Sequence, residues 1–259
     1  MLIYEPRGKA REYSPLAFNP YTGCNHRCKY CYAPSCLQRK QEDYFITPVP
    51  RKNVIATLEK ELGKKRPMQQ VLLSFIGDVY GETADDNAAT RATLEILRNH
   101  KVPVAILTKG GKRCLKDLDL FKEFGEHFQI GATLTFDNEA DSKEWEPTAA
   151  NPDERLETLK ILHENGIRTF ASFEPVIVPG QSINLIKKSL EFIDVYKIGK
   201  LNNYKGLDKN IDWMAFLQEV VTILRASGKA FYIKHDLRKA APSVKLYGNE
   251  VLPDEHNVS

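Results

Sequence analysis

Seven short apolar runs rich in β-branched and aromatic residues alternate along this chain with stretches whose apolar residues recur at helical spacing. That alternation restricts the fold more than any other feature. The runs fall at residues 14–18, 71–76, 104–107, 128–135, 168–173, 195–198 and 230–233. Between them, Val54, Ile55, Leu58 and Leu62 make a stripe that stops at Gly63, a second helix covers 88–99, and a third sets Cys114, Leu118 and Phe121 on one face. Asn151-Pro152-Asp153-Glu154 supplies a cap, a first-turn proline and early acids for a fourth helix that Gly166 ends. Ile183, Ile186, Leu190 and Ile193 form a fifth stripe, and Trp213, Phe216, Leu217, Val220, Val221 and Leu224 a sixth. Strands and helices in strict turn, with no tandem repeat and no low-complexity linker, predict an α/β fold with a parallel sheet that closes wholly or partly into a barrel. The 259 residues suit one such domain, with a core of about 14–235, a short N-terminal extension, and a tail that covers one end.

A doubly wound open sheet shares the alternation, but its first βα loop carries a glycine fingerprint. Here that loop carries Cys24-Asn25-His26-Arg27-Cys28-Lys29-Tyr30-Cys31, entered through Asn19-Pro20-Tyr21-Thr22-Gly23. Three thiolates within eight residues can wrap one small soft centre, because cysteine sulfur is the preferred ligand of iron–sulfur clusters and of zinc. A cubane has four irons, so three protein ligands leave one iron open for reaction. A structural zinc wants four closed ligands, commonly in two Cys-x-x-Cys pairs. The second pair is missing; His26 or Cys36 could complete the set, though His26 sits so close to Cys24 and Cys28 that a tetrahedron would be cramped.

Five cysteines in 259 residues, with no secretory segment at Met1–Pro6, argue against a disulfide framework and for a reducing cytoplasm. No apolar run approaches the ~20 residues of a membrane span. A formal charge of +3 permits a nucleic-acid partner without demanding one. Two basic clusters stand out, Arg7, Lys9 and Arg11 before the first strand, and Lys234, His235, Arg238 and Lys239 after the last. Each is either a solvated surface or an edge for a phosphate backbone.

In parallel α/β folds chemistry gathers where the strands end. After the second strand come Ser74, Gly77 and Asp78; after the third, Thr108 and Lys109; in and after the fourth, Thr133, Thr135 and Asp137; after the fifth, Glu174; after the sixth, Lys200 and Asn202. Wet loops often carry such residues, yet five ends in register with a cysteine loop could together hold a zwitterion.

The cysteine spacing, with an aromatic before the last cysteine, resembles the signature of the radical S-adenosylmethionine (SAM) superfamily. Asn19-Pro20-Tyr21, Tyr30-Cys31-Tyr32-Ala33, Ser74-Phe75-Ile76-Gly77-Asp78, Leu107-Thr108-Lys109, and Glu146-Pro147 with Pro152 and Arg155 look like its spore photoproduct lyase-like, DNA-repair branch, over roughly residues 16–202. The resemblance implies a partial parallel (β/α)6-type TIM barrel. It implies a 4Fe-4S cluster on Cys24, Cys28 and Cys31, with SAM on the open iron and a reductant such as flavodoxin or ferredoxin. It also implies Asp78 for the ammonium of SAM, Lys109 and a hydroxyl, Thr133 or Thr135, for its carboxylate, and Tyr30 beside its adenine or simply packed. The implied activity is reductive cleavage of SAM and hydrogen abstraction from a substrate, a nucleic-acid base or nucleotide. The alternatives are a radical enzyme on a small metabolite or peptide, and a non-catalytic iron–sulfur or zinc protein that binds a partner. Tyr32 matches a tyrosine implicated in hydrogen transfer in the lyases, or packs. The lyases rely on a cysteine near the second strand, whereas this chain has Ser74 and Phe75 there and no cysteine between Cys36 and Cys114, which counts against thymine-dimer repair. Cys114 is expected in the core and Cys36 as a buried thiol.

Overall fold

The computed structural model describes residues 2–201, 204 and 206–252. Seven strands, β1 (Leu16–Ala17), β2 (Val71–Leu73), β3 (Val104–Thr108), β4 (Phe128–Thr133), β5 (Arg168–Phe173), β6 (Val195–Ile198) and β7 (Ala230–Ile233), form one sheet in chain order. Every neighbouring pair is parallel, with registers such as Leu72↔Ala105 and Ser172↔Lys197. The crossover helices are α1 (Val54–Leu62), α2 (Ala88–Asn99), α3 (Leu118–Phe124), α4 (Pro152–Glu164), α5 (Pro179–Ser189) and α6 (Trp213–Ala226). β1 and β7 remain as edges, so the sheet is a curled, incomplete barrel.

The central strands are buried along almost their whole length, Leu107 alone being half-buried, as strands covered on both faces must be. One face packs on the helices through two clusters, one around Leu94, Ile106 and Phe128 and another around Ile186, Leu217 and Val221. The concave face carries Leu72 and Ala105 against Tyr13, whose hydroxyl lies 2.6 Å from that of Ser172. Caps act where the sequence puts them, Asn151 accepting from Glu154 N at 2.7 Å and Asp212 from Ala215 N at 3.0 Å.

The structure differs from the sequence expectation at three places. The run 71–76 is strand only to Leu73, because the N–H groups of Phe75 and Ile76 both turn to Asn19 Oδ1 at 3.1 Å. The run 128–135 is strand only to Thr133. The third helix opens as a 3-10 segment, Gly111–Asp117, that holds Cys114 in the core before α3 begins.

The described segments near the two ends also have defined places. Tyr4 bridges to Ala17 on one sheet edge, while Glu12 Oε1 accepts from the Tyr232 hydroxyl and from His235 N, both at 2.7 Å, on the other. This strap therefore spans the open side of the barrel. Near the C-terminus, Leu237, Ala241 and Val244 join the second cluster and Glu250 pairs with Arg225 at 2.6 Å. Among the described residues no helix is long and apolar enough to cross a membrane.

Candidate functional site

The cysteine loop is pinned to the barrel at both ends. Tyr21–Thr22 pairs antiparallel with Val49–Pro50, Cys24 N donates to Tyr44 O at 3.0 Å, and Cys31 N to Cys28 O at 3.0 Å. Gly77 has φ +92°, and a Cβ there would lie 2.9 Å from Gly23 O, so only glycine lets the loop after β2 meet the cysteine loop backbone to backbone. All three thiols are free; Cys24 and Cys28 are buried and Cys31 is partly exposed. Burial pushes all three up, Cys28 to about 12 with Lys109 opposing, so a bound cation is what would make them thiolates.

The thiols face a cavity of about 460 Å³ that Tyr30, Tyr32, Ser74, Gly77, Asp78, Thr108, Lys109, Thr133, Glu174 and Lys200 also line. The strand ends thus converge with the cysteines. Asn202 lies outside the described residues. Asp137 is turned to α5, where its carboxylate takes Asn184 Nδ2 at 2.8 Å.

Asp78 is the most heavily bonded group in the cavity. Oδ1 accepts from Tyr80 N at 2.9 Å and Thr108 Oγ1 at 2.7 Å, and Oδ2 from His26 Nε2 at 2.9 Å and Lys109 N at 2.6 Å. Burial alone would raise its pKa, but the His26 hydrogen bond and charge, with Lys109 N–H and the Thr108 hydroxyl, hold it well below the usual carboxylate range. A carboxylate has about four lone-pair sites, and four donors meet this one, so Asp78, which lines the cavity where the ammonium is expected, also ties the cysteine loop to β2 and β3. His26, weighed above as a metal ligand, is committed to Asp78, its Nδ1 lying 3.4 Å from Thr148 O.

Lys109 is the opposite case. Its ammonium has no hydrogen-bond acceptor among the described residues and lies 5.6 Å from the Tyr30 ring centroid. Burial would lower its pKa, yet Cys28 and Glu146 outweigh that and raise it, keeping a cation in the cavity. The two strand hydroxyls separate: Thr133 lines the cavity, whereas Thr135 turns to Glu146 at 3.4 Å and Tyr30 at 3.5 Å. Tyr30 donates to Glu146, and Glu146 pairs with Arg155 at 2.6 Å with both side chains 1% exposed. Arg155 also donates to Thr133 O at 2.9 Å and Ala150 O at 2.7 Å, fixing the end of β4.

On the far wall, Glu174 Oε2 accepts from the Tyr13 hydroxyl at 3.1 Å and from Lys234. Lys200 pairs with Asp208 at 3.2 Å, and Ser74 donates to Gly77 O at 3.0 Å. Tyr32 is 54% exposed and borders the cavity, its hydroxyl donating to Phe75 O at 3.1 Å. Cys36 is exposed at the end of the short helix Ala33–Cys36, not buried as expected, because that helix turns its other face, Ala33 and Pro34, inward. Lys234 leaves the C-terminal basic cluster: it is 2% exposed and paired with Glu174 and Glu12. Arg11 of the N-terminal cluster pairs with Glu5 at 3.3 Å.

Thiols on the first loop of an α/β half-barrel, with charged strand ends facing them, border one cavity over the sheet. Residues 18–193 match the Radical SAM superfamily, and the chain belongs to that superfamily. It is 31% identical over 159 residues to the uncharacterized protein MJ0683 of Methanocaldococcus jannaschii, covering 61% of this chain and 59% of that one. It is 26% identical over 189 residues to the uncharacterized protein ORF301 of Acidianus two-tailed virus, covering 68% and 61%. The chain thus matches about three-fifths of these relatives' length. Among solved structures, a spore photoproduct lyase mutant aligns with TM-score 0.67 at 12% identity, covering 89% of this chain and 79% of that one. Streptococcus suis SuiB bound to S-adenosylmethionine aligns with TM-score 0.64 at 15% identity, covering 89% and 53%.

The superfamily implies a 4Fe-4S cluster and SAM, and the donor set fits them. Three free thiols border one cavity, yet among the described residues no three metal-ligating side chains converge as a single ion requires. Cysteines that each hold a different iron need no such convergence.

Proposed function

We propose that the chain is a radical SAM enzyme that binds one 4Fe-4S cluster through Cys24, Cys28 and Cys31 and S-adenosylmethionine in the adjoining cavity. The supporting observation is the pairing of three free thiols with the unpartnered Lys109 ammonium across one space. When bound, cluster and SAM together supply reductive cleavage and a 5′-deoxyadenosyl radical for hydrogen abstraction. The chain's own residues would orient and seclude. Lys109 and Thr133 would take the SAM carboxylate, and Tyr30, held by Glu146, would flank the adenine. Phe75, Leu107 and Leu201 would keep water from the reacting atoms.

The substrate proposed is a nucleic-acid base or nucleotide, on the sequence resemblance. A spore photoproduct lyase structure carries a dinucleoside spore photoproduct, whereas a SuiB structure carries a precursor peptide. Anaerobic reconstitution tests the class. Visible and electron paramagnetic resonance (EPR) spectra should show a cluster whose signal changes on adding SAM, with 5′-deoxyadenosine formed under reduction. One zinc and no iron, or a cluster indifferent to SAM, would sink the proposal. Turnover with nucleosides and oligonucleotides but not peptides supports the substrate class.

Two variants separate the roles of Lys109 and Asp78. Lys109→Ala should weaken SAM binding roughly ten- to hundredfold by calorimetry at unchanged iron content, as expected for one charge-assisted contact. Asp78→Asn should instead lower iron retention, because the anchor of His26 and the cysteine loop is weakened. Full iron with weakened SAM binding in Asp78→Asn would instead support the ammonium role expected from the sequence.

A further inference from the structure

We infer that Glu174 positions the substrate, its Oε1 accepting an N–H from the edge of a nucleobase held on the strap side of the cavity. This deepens the nucleotide reading above and rests on it. The strap and the last three strands build this part of the wall. Tyr13 comes from the strap, Glu174 follows β5, Lys200 follows β6 and Lys234 follows β7, and all four line the cavity that the three thiols border.

Glu174 is held by one oxygen only. Oε2 accepts from the Tyr13 hydroxyl at 3.1 Å and from Lys234, which also reaches Glu12 Oε2 at 3.7 Å. Ser172 Oγ, 2.6 Å from the Tyr13 hydroxyl, fixes that phenol in turn. Oε1 has no hydrogen-bond partner among the described residues, and the side chain is only 19% exposed. An oxygen with two lone pairs in such a place calls for donors. Of the two acids that line the cavity, Asp78 has donors on both oxygens, so Glu174 is the one with an oxygen to offer. Gly199 makes room for it: a Cβ there would lie 2.9 Å from Glu174 Oε1 and from Cδ.

The surroundings define the donor. A carboxylate repels a phosphate or a second carboxylate, so this end takes an uncharged or cationic group. Phe75 meets the Tyr13 ring edge-on, with centroids 6.0 Å apart, and lines the cavity together with Leu107, Pro175 and Leu201. One fixed acceptor among aromatic and aliphatic faces suits a flat ring with an N–H on its edge; a sugar hydroxyl or an aliphatic ammonium would leave those faces unused.

The test uses protein loaded with cluster and SAM. Equilibrium dialysis measures its affinity for each deoxynucleoside 5′-monophosphate and for a counterpart whose base N–H groups are replaced by N–CH3. At least one monophosphate should bind, and N-methylation should weaken it roughly tenfold or more, as loss of a hydrogen bond to a charged group does. Glu174→Ala should bring the parent down to the level of its methylated counterpart and leave the counterpart unchanged, with native iron content and SAM affinity. Gly199→Ala crowds Oε1 while the Lys234 pair stays, and it should show the same selective loss even if Glu174→Ala disturbs the fold. No monophosphate binding to the loaded native protein overturns the inference. So does an equal loss for parent and methylated counterpart, or a selective loss in neither variant. A fall in SAM affinity in Glu174→Ala also overturns it, assigning Glu174 to the cofactor. If the native protein takes up no cluster or no SAM, the radical SAM proposal itself has failed, and the inference falls with it.

Discussion

Replacing any one of Cys24, Cys28 and Cys31 by Ala is expected to abolish iron binding, leaving anaerobically reconstituted protein without visible absorption or an EPR signal. The three thiols are the only cysteines bordering the cavity apart from Cys36, and two anchors are too few for a cubane. The loss should not be a folding failure. The loop's backbone is held independently, through Tyr44 O, the Tyr21–Thr22 pairing and Asn19, so circular dichroism should stay native. Cys36→Ala is the control: exposed and outside the three-cysteine spacing, it should load iron like the native chain. A single-cysteine variant that keeps a full cluster would show that another residue serves as ligand.

The second large effect is on stability. Glu146 and Arg155 are both 1% exposed and paired at 2.6 Å. Removing one partner of a buried pair leaves an uncompensated charge, so Glu146→Gln or Arg155→Met should cost about 3–5 kcal/mol, lowering Tm by about 10 °C in a chain of this size. Arg155→Met should sit at the upper end, because it also orphans the carbonyls of Thr133 and Ala150. Combining Glu146→Leu with Arg155→Met should recover much of the loss, the signature of direct coupling. The pH dependence follows from linkage. Burial would raise the Glu146 pKa, but Arg155 and Lys109 outweigh it and lower it below the ordinary 4.5. A depressed folded pKa contributes stability that is present above the ordinary value and lost as pH falls through the depressed one. Glu146→Gln should flatten that acid limb in denaturant titrations across pH; an unchanged limb would mean that other carboxylates govern it.

Much of the architecture could be read from the chain because the strands are buried on both faces and must be apolar throughout. Val71–Leu73 and Val104–Ile106 show this plainly. Strand ends were less legible, since Ser74–Ile76 has β-rich composition and is drawn off only by Asn19, 55 or more residues earlier. The cysteine loop and the groups facing it were legible because strand ends of a parallel sheet share one rim. Which of those groups are open was not. Asp78 and Lys109 look equally available in sequence, and only the structure shows that Asp78 collects four donors from three separate segments while the Lys109 ammonium has no hydrogen-bond acceptor among the described residues. Tyr13 gave no signal at all. It lies before the first strand, yet meets Ser172 and Glu174 across the barrel. Glu146 and Arg155 were visible as part of a family pattern, but their pairing joins the residue just after the short helix Glu139–Trp145 to the first turn of α4, which the sequence does not show.

The strap across the open side has a consequence for the order of events in folding. Glu12 reaches Tyr232 and His235 across 220 and 223 residues, among the longest separations in the molecule, and the loop-closure entropy of such contacts grows with the intervening chain. Each βα unit can add to its neighbour through contacts that are nearer in sequence, but the strap has nothing to grip on its far side until β7 is in place. The β1 edge can take its Tyr4 bridge from local chain, whereas the Glu12 contacts that close the chamber require residues 230–235 to be in place. Assembly from the N-terminus onward and closure from the C-terminus make the order of the genetic message part of how the site is finished.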